Sequence, residues 1–157
     1  MSGQLFCTTT PLSVSPGVSL TDFLHAPTSV SCWLHEGYGL VGLGRLLTLS
    51  APPAPEARRI EQLRQAWRHE VGQASWVDQV RRPGSGPLAL GAITFSATSQ
   101  ASSVLVVPQV LVGRDRQGWW LTRFELSPTT TTPRGEVFRG QPYSPQLSFV
   151  RAVAENA

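Results

Sequence analysis

Residues 88–126, LALGAITFSATSQASSVLVVPQVLVGRDRQGWWLTRFEL, hold three apolar runs of strand length. A Ser/Thr/Gln-rich stretch at 96–103 separates the first two, and Arg114-Asp-Arg-Gln-Gly118 separates the last two. The third run alternates, with Trp120, Thr122, Phe124 and Leu126 on one face and Trp119, Leu121, Arg123 and Glu125 on the other. A period of two marks a strand with one buried side. The middle run, 104–112, is apolar at both parities, so it predicts a strand covered on each face. The stretch as a whole predicts an α/β (α+β) chain on a mostly antiparallel sheet of about five strands. No catalytic constellation lies on it.

Working outward, TSVSCWLHE at 28–36 reads as a first strand and LVGLGRLLTLS at 40–50 as a second, joined by a turn at 37–39. Gly42 and Gly44 share a face of the second strand and leave room for another backbone or a large ring. Prolines at 52, 53 and 55 break the strand and lead into one long helix. Pro55 suits the first turn, and Glu56 sits near the positive end of the helix dipole. Ile60, Leu63, Trp67 and Val71 recur at spacings of three and four and predict a stripe that packs on the sheet, with Trp67 buried. Gly72 is a plausible stop, although Trp76 and Val80 extend the apolar pattern. A Gly/Pro-rich loop at 81–87 then returns the chain to the central sheet.

The two ends read as weakly structured. Residues 1–27, rich in Ser, Thr and Pro, are expected to be a loose lead-in to a domain spanning 28–126. Residues 127–146 form a Thr/Pro-rich connector that ends in Ser144-Pro145, a helix cap followed by a first-turn proline. The helix begun at 147–157 places Leu147, Val150 and Ala154 on one face and carries no evident C-terminal cap.

At 157 residues, with 41% hydrophobic and 15% charged side chains, the chain is long enough for a real core. Its net charge of +3 rests on arginine alone, for there is no lysine. The arginines are dispersed, with only Arg58-Arg59 and Arg81-Arg82 adjacent, which is not a nucleic-acid footprint. Cys7 and Cys32 make no CxxC and no metal-ligand spacing. No run reaches the ~20 apolar residues that cross a bilayer, and the N-terminus lacks a basic region followed by an apolar one. The expectation is a cytosolic chain with reduced thiols and neither a membrane nor a nucleic-acid partner.

Gly37-Tyr-Gly39-Leu-Val-Gly42 matches the GxGxxG of dinucleotide-binding turns, but that turn must open a helix. The residues that follow alternate like a strand, so a glycine-rich hairpin is expected instead. His25, His35 and His69 lie far apart and on different elements; His35 ends a strand beside Glu36, with which it could form an acid/base pair if a pocket covered the hairpin. No serine sits in a GxSxG elbow. None of the ten carboxylates falls in a DxD or ExxE grouping for Mg²⁺. The residues nominate no catalytic, cofactor-binding or metal-binding site.

The order and wording of the segments resemble the opening of isochorismate synthases. TSVSCWLHEGYGLVGLGRLLTL is similar to that family's first strand and its "GLVGLG"-like second one. Pro87 to Phe95 looks like its "AfGgfaF" strand, and Leu105-Val-Val-Pro108 like its "vvP" strand. The helix around Trp67, the GWWLT run and the final SPQLSFVRAVAENA look like further pieces in the same order, so the resemblance covers roughly residues 23–157. It implies a partial chorismate-utilising fold of two large, mostly antiparallel β-layers with helices outside. It also implies a parent activity, Mg²⁺-dependent conversion of chorismate to isochorismate on routes to menaquinone, siderophores or salicylate. The family's water-activating lysine, acid glutamate and metal-binding glutamates all belong to its later portion, and none carries over to a residue here.

The expectation is therefore an N-terminal, non-catalytic part of an isochorismate synthase-like protein, inactive alone: either a truncated product or a chain that works with a separate C-terminal catalytic half. The alternative is a stand-alone binding or scaffolding module that uses its sheet face. An enzyme built around His35–Glu36 is a third reading.

Overall fold

A computed structural model describes residues 3–127 and 144–156. The chain is mixed α+β, with two sheets where one of about five strands was expected. The larger has six strands: β1 (Gln4–Pro11), β2 (Val30–His35), β3 (Tyr38–Leu43), β5 (Ser75–Asp78), β8 (Val110–Asp115) and β9 (Gly118–Ser127). Their order is β2-β3-β8-β9-β1-β5. The smaller sheet contains β4 (Leu47–Ala51), β7 (Ser103–Val107) and β6 (Leu90–Ala92), in the order β4-β7-β6. Every pairing is antiparallel except β1 with β5.

The second sheet arises because two apparently continuous strands each break in the middle. The run expected over 40–50 bends at Gly44 (φ +76°), where β3 leaves the large sheet and β4 enters the small one. The run 104–112 bends at Pro108-Gln109 and divides in the same way into β7 and β8. Proline has no N–H for a ladder, so the pairing changes hands there. The bends interlock, as Gln109 N–H donates to the Leu43 carbonyl at 3.0 Å and Leu46 N–H to the Val107 carbonyl at 2.8 Å. A Cβ on Gly42 would lie 3.0 Å from the Pro108 ring, so the glycine admits the proline at the corner. The two-sided greasiness of 104–112 is thus the sum of two strands facing different cores.

The N-terminal segment is a correction of larger consequence. The expected loose lead-in at 1–27 contains β1, which lies inside the large sheet between β9 and β5. Leu5, Cys7 and Thr9 alternate inward and are at most 2% exposed. A short 3₁₀ helix, Leu20–His25, follows and buries Leu20 and Phe23 against the other face of the sheet.

Helices cover both faces of the large sheet. On one side Leu147 and Val150 of α2 (Pro145–Ala154) join Leu20 and Phe23 over Val41, Leu43, Val110, Val112 and Leu121. The Ser144 side chain accepts from Leu147 N–H, as the Ser-Pro pair predicts. The helix ends at Ala154, with Asn156 in the left-handed region (φ +55°). On the other side Leu5, Cys7, Leu111, Trp120 and Phe124 form a second core with Val107, against which Trp67 packs. Trp67 belongs to α1 (Glu56–Gln73), which also lies on the small sheet. The apolar stripe is rotated from the expected one: Arg59 and Leu63 are buried, Trp67 is half-buried and Ile60 is 41% exposed. After the helix, Trp76 sits on edge strand β5 rather than prolonging the apolar face. Most of the 127–146 connector lies outside the described residues.

Candidate functional site

The sequence candidates fall on the hairpin and stay apart. The turn between β2 and β3 was expected at 37–39, but it is Glu36 (φ 52°) and Gly37 (φ 81°) that form it, with His35 opposite Tyr38 and Gly39 already in the strand. Positive φ at both central positions is the twist-matched hairpin turn. The GxGxxG run therefore continues along β3. Gly39 is needed there because a Cβ would lie 2.0 Å from the Trp33 carbonyl oxygen. His35 Nε2 and Glu36 Oε2 are 3.8 Å apart, with side chains 72% and 76% exposed, at a tip that nothing covers. Such a pair is a weak surface contact. His25 ends the 3₁₀ helix and His69 lies on the outer side of α1. Among the described residues no three metal-ligating side chains come together.

What the fold does build is a groove between the sheets. Along β7, residues 103, 105 and 107 share the parity that faces α1, whereas Val104 and Val106 face away with their partners Ala92 and Leu90 on β6. Opposite them stand Ser31 and Trp33 of β2 and Leu40 of β3. The resulting groove, of about 510 Å³, has Arg45 as its charged lining residue. Cys32 also borders it as an exposed free thiol, and the Trp33 ring is 64% exposed at the mouth. An aromatic lip, an aliphatic floor and one cation suit binding.

A second polar centre pins the 79–88 loop beneath the sheet. Asp78 Oδ1 accepts from Val80 and Arg81 N–H, both at 2.9 Å, and Oδ2 accepts from the Ser85 hydroxyl at 2.6 Å. Burial opposes ionisation of Asp78, but the Arg81 N–H, the Ser85 hydroxyl, the Val80 N–H and the Arg81 charge outweigh it and hold the carboxyl below its ordinary value. Gly86 N–H donates to Thr9 Oγ1, which also bonds Thr122 Oγ1 at 2.7 Å. Trp120 Nε1 donates to the Gly84 carbonyl at 3.1 Å, and the Arg82 guanidinium lies 5.2 Å from the Trp120 ring. Ser85 has no imidazole partner in this network, so it is a structural tie. Cys7 lies nearby with its thiol pushed up to about 12, chiefly by burial.

Sequence reasoning missed Arg59 altogether. It is 0% exposed on the first turns of α1, and its Nη1 donates to Thr94 Oγ1 and, at 3.2 Å, to the Ser96 carbonyl. The spacing 59, 63, 67 was available as a stripe, but an arginine on a polar helix reads as solvated by default.

Comparison with known protein families, with curated proteins and with solved structures finds no match to this chain. What the fold and site define is a mixed α+β chain with a groove between two sheets. No helix among the described residues is long and apolar enough to cross a membrane.

Proposed function

We propose that this chain is the non-catalytic N-terminal part of an isochorismate synthase-like enzyme, acting in the cytosol as scaffold for a catalytic half that carries the chorismate site. One observation carries the reading: the segments that resemble the family pack on one another. A Cβ on Gly42, from the glycine-rich strand, would touch Pro108 of the Val-Val-Pro strand at 3.0 Å and Leu90 of the Leu-Ala-Leu-Gly strand at 3.1 Å. Three short motifs spread over almost seventy residues thus meet at a single corner.

The uncovered face of the small sheet supports the second reading, a stand-alone binding module that uses the groove. A mixing experiment separates the two. The purified chain is expected to leave chorismate unchanged with or without Mg²⁺. Together with a separately expressed, lysine-bearing C-terminal half of a related enzyme, it is expected to co-elute and form isochorismate. Isochorismate made by the chain alone overturns the proposal, as does failure of the two pieces to associate.

A further inference from the structure

The most anomalous group in the molecule is the Arg59 guanidinium. Its Nη1 is satisfied by Thr94 and Ser96, yet Nε and Nη2 are buried without any hydrogen-bond partner. No carboxylate among the described residues lies in ion-pair range of it. A buried cation without a counter-charge is costly, and one that persists calls for a reason. The two orphans are not scattered. Nε–H and one Nη2–H lie along one edge of the planar guanidinium, parallel and in plane, the pair that a carboxylate accepts through both its oxygens.

The cover over Arg59 is slight. Between β6 and β7, residues 93–102 cross it as a strap with no helix or strand of their own. The strap is tied at one end by Thr94 N–H to Ser103 Oγ at 3.0 Å and by the two hydroxyls at 3.1 Å. Beyond that it is held by the Arg59 Nη1 bonds to Thr94 and Ser96, and its other bonds are internal: Ser99 to Ser96, Thr98 to Ser96, Ala101 to Ser99. Ile93 and Phe95 turn outward, 47% and 94% exposed, so lifting the strap uncovers little apolar surface at these positions. Segments with few buried contacts are the ones that open locally.

We propose that Arg59 is the receptor of a carboxylate-binding site: with the 93–102 strap lifted, the Nε–Nη2 edge grips a small monocarboxylate, and the Ser103 hydroxyl at the start of β7 borders it. One guanidinium matches one negative charge, which favours a carboxylate over a dianionic phosphate. The inference stands apart from the proposed scaffold role, and its test uses the chain alone.

Thermal melts of the full chain in sodium benzoate and in sodium acetate, against sodium chloride at equal ionic strength, provide the test. Either carboxylate is expected to raise the melting temperature saturably, by roughly 5–10 °C at a hundredfold excess over Kd. Inorganic phosphate is expected to do no more than chloride. Arg59→Met, which keeps the length of the side chain without its charge, should lose the response while melting no lower than the parent in chloride. Arg59→Lys, a cation without the two-donor edge, should weaken binding at least tenfold. Should Arg59→Met fail to fold, the ¹⁵N resonance of Arg59 Nε in the unaltered chain decides, since it must shift on titration with benzoate. No saturable carboxylate effect, an equal effect of phosphate, or a response that survives in Arg59→Met overturns the site.

Discussion

The two sheets are made from the same residue types and differ in what covers them. The six-stranded sheet carries a core on each face, one beneath the 3₁₀ helix and α2 and one beneath α1 and the 79–88 loop. The three-stranded sheet has α1 on one face and an open groove on the other. Composition did not decide this, since Val104-Leu-Val-Val107 of β7 is as apolar as Val110-Leu-Val112 of β8. The corner decided it. A proline and two glycines turn half of each strand away from the larger core, and the half that turns away faces β2 and β3 only across the groove.

The comparison breaks most readily at Trp120. The residue is 2% exposed, and a Cβ on Gly113 would lie 2.1 Å from its ring, so the indole fills space left by the glycine. Trp120→Ala is expected to cost about 3–5 kcal/mol in denaturant unfolding. A midpoint within error of the parent would mean that this face holds no core. At the corner, Gly42→Val should cost about 1–3 kcal/mol, because its methyls meet Pro108 and Leu90. If the variant is neutral, the sheets are not locked where the strands bend.

Asp78 tests the tie under the large sheet. Asp78→Asn is expected to lose roughly 1–2 kcal/mol, the scale of hydrogen bonds to a charged acceptor. The pH dependence has a definite sign. The carboxyl is held below its ordinary 3.8, so its contribution is present above that pH and is lost as the pH falls through the lower folded value. Acid titration of the parent should show this loss below about pH 4, and Asp78→Asn should flatten that part of the curve. On the small sheet, Leu90→Ala in the groove wall is expected to cost about 1 kcal/mol. A loss as large as that of Trp120→Ala would show the groove face to be covered.

The smallest effect concerns the thiols. Cys32 is exposed, whereas Cys7 is buried with its thiol pushed up to about 12. At neutral pH a thiol reagent should label Cys32 in the folded chain and Cys7 only after denaturation, because the thiolate is the reacting form. Equal rates would place β1 outside the sheet. As the pH rises from 9.0 towards 12, the unfolded thiol ionises first, so Cys7 costs the fold stability over that range.

Where one local signal dominated, the sequence was readable. The hairpin between the first two strands, the Ser144 cap and the start of α1 after the prolines each follow from residues within a few positions of one another. The two-sided burial of 104–112 was visible too, but its cause was not, since periodicity alone does not tell one strand between two layers from two strands in different layers. β1 was hidden because Thr8-Thr9-Thr10 reads as loop, although threonine suits a pleated surface and Thr9 finds a buried partner 113 positions away. Arg59 was hidden because burial of a cation depends on a strap more than thirty residues downstream. The groove needs four strands before it exists at all.

The placement of β1 also bears on how the protein is made. The strand must sit between two partners, one of which, β9, is translated far later. With Thr9 and Thr122 separated by 113 positions, and elongation at about 5–20 residues per second, the segment waits roughly 6–20 s for that neighbour. Meanwhile the edge that β9 will pair is open, and Leu5 and Cys7 lack the cover that Trp120 and Phe124 will give them. Nascent chains in that state are natural clients for a holding chaperone, and the yield of soluble protein should depend on how long that interval lasts.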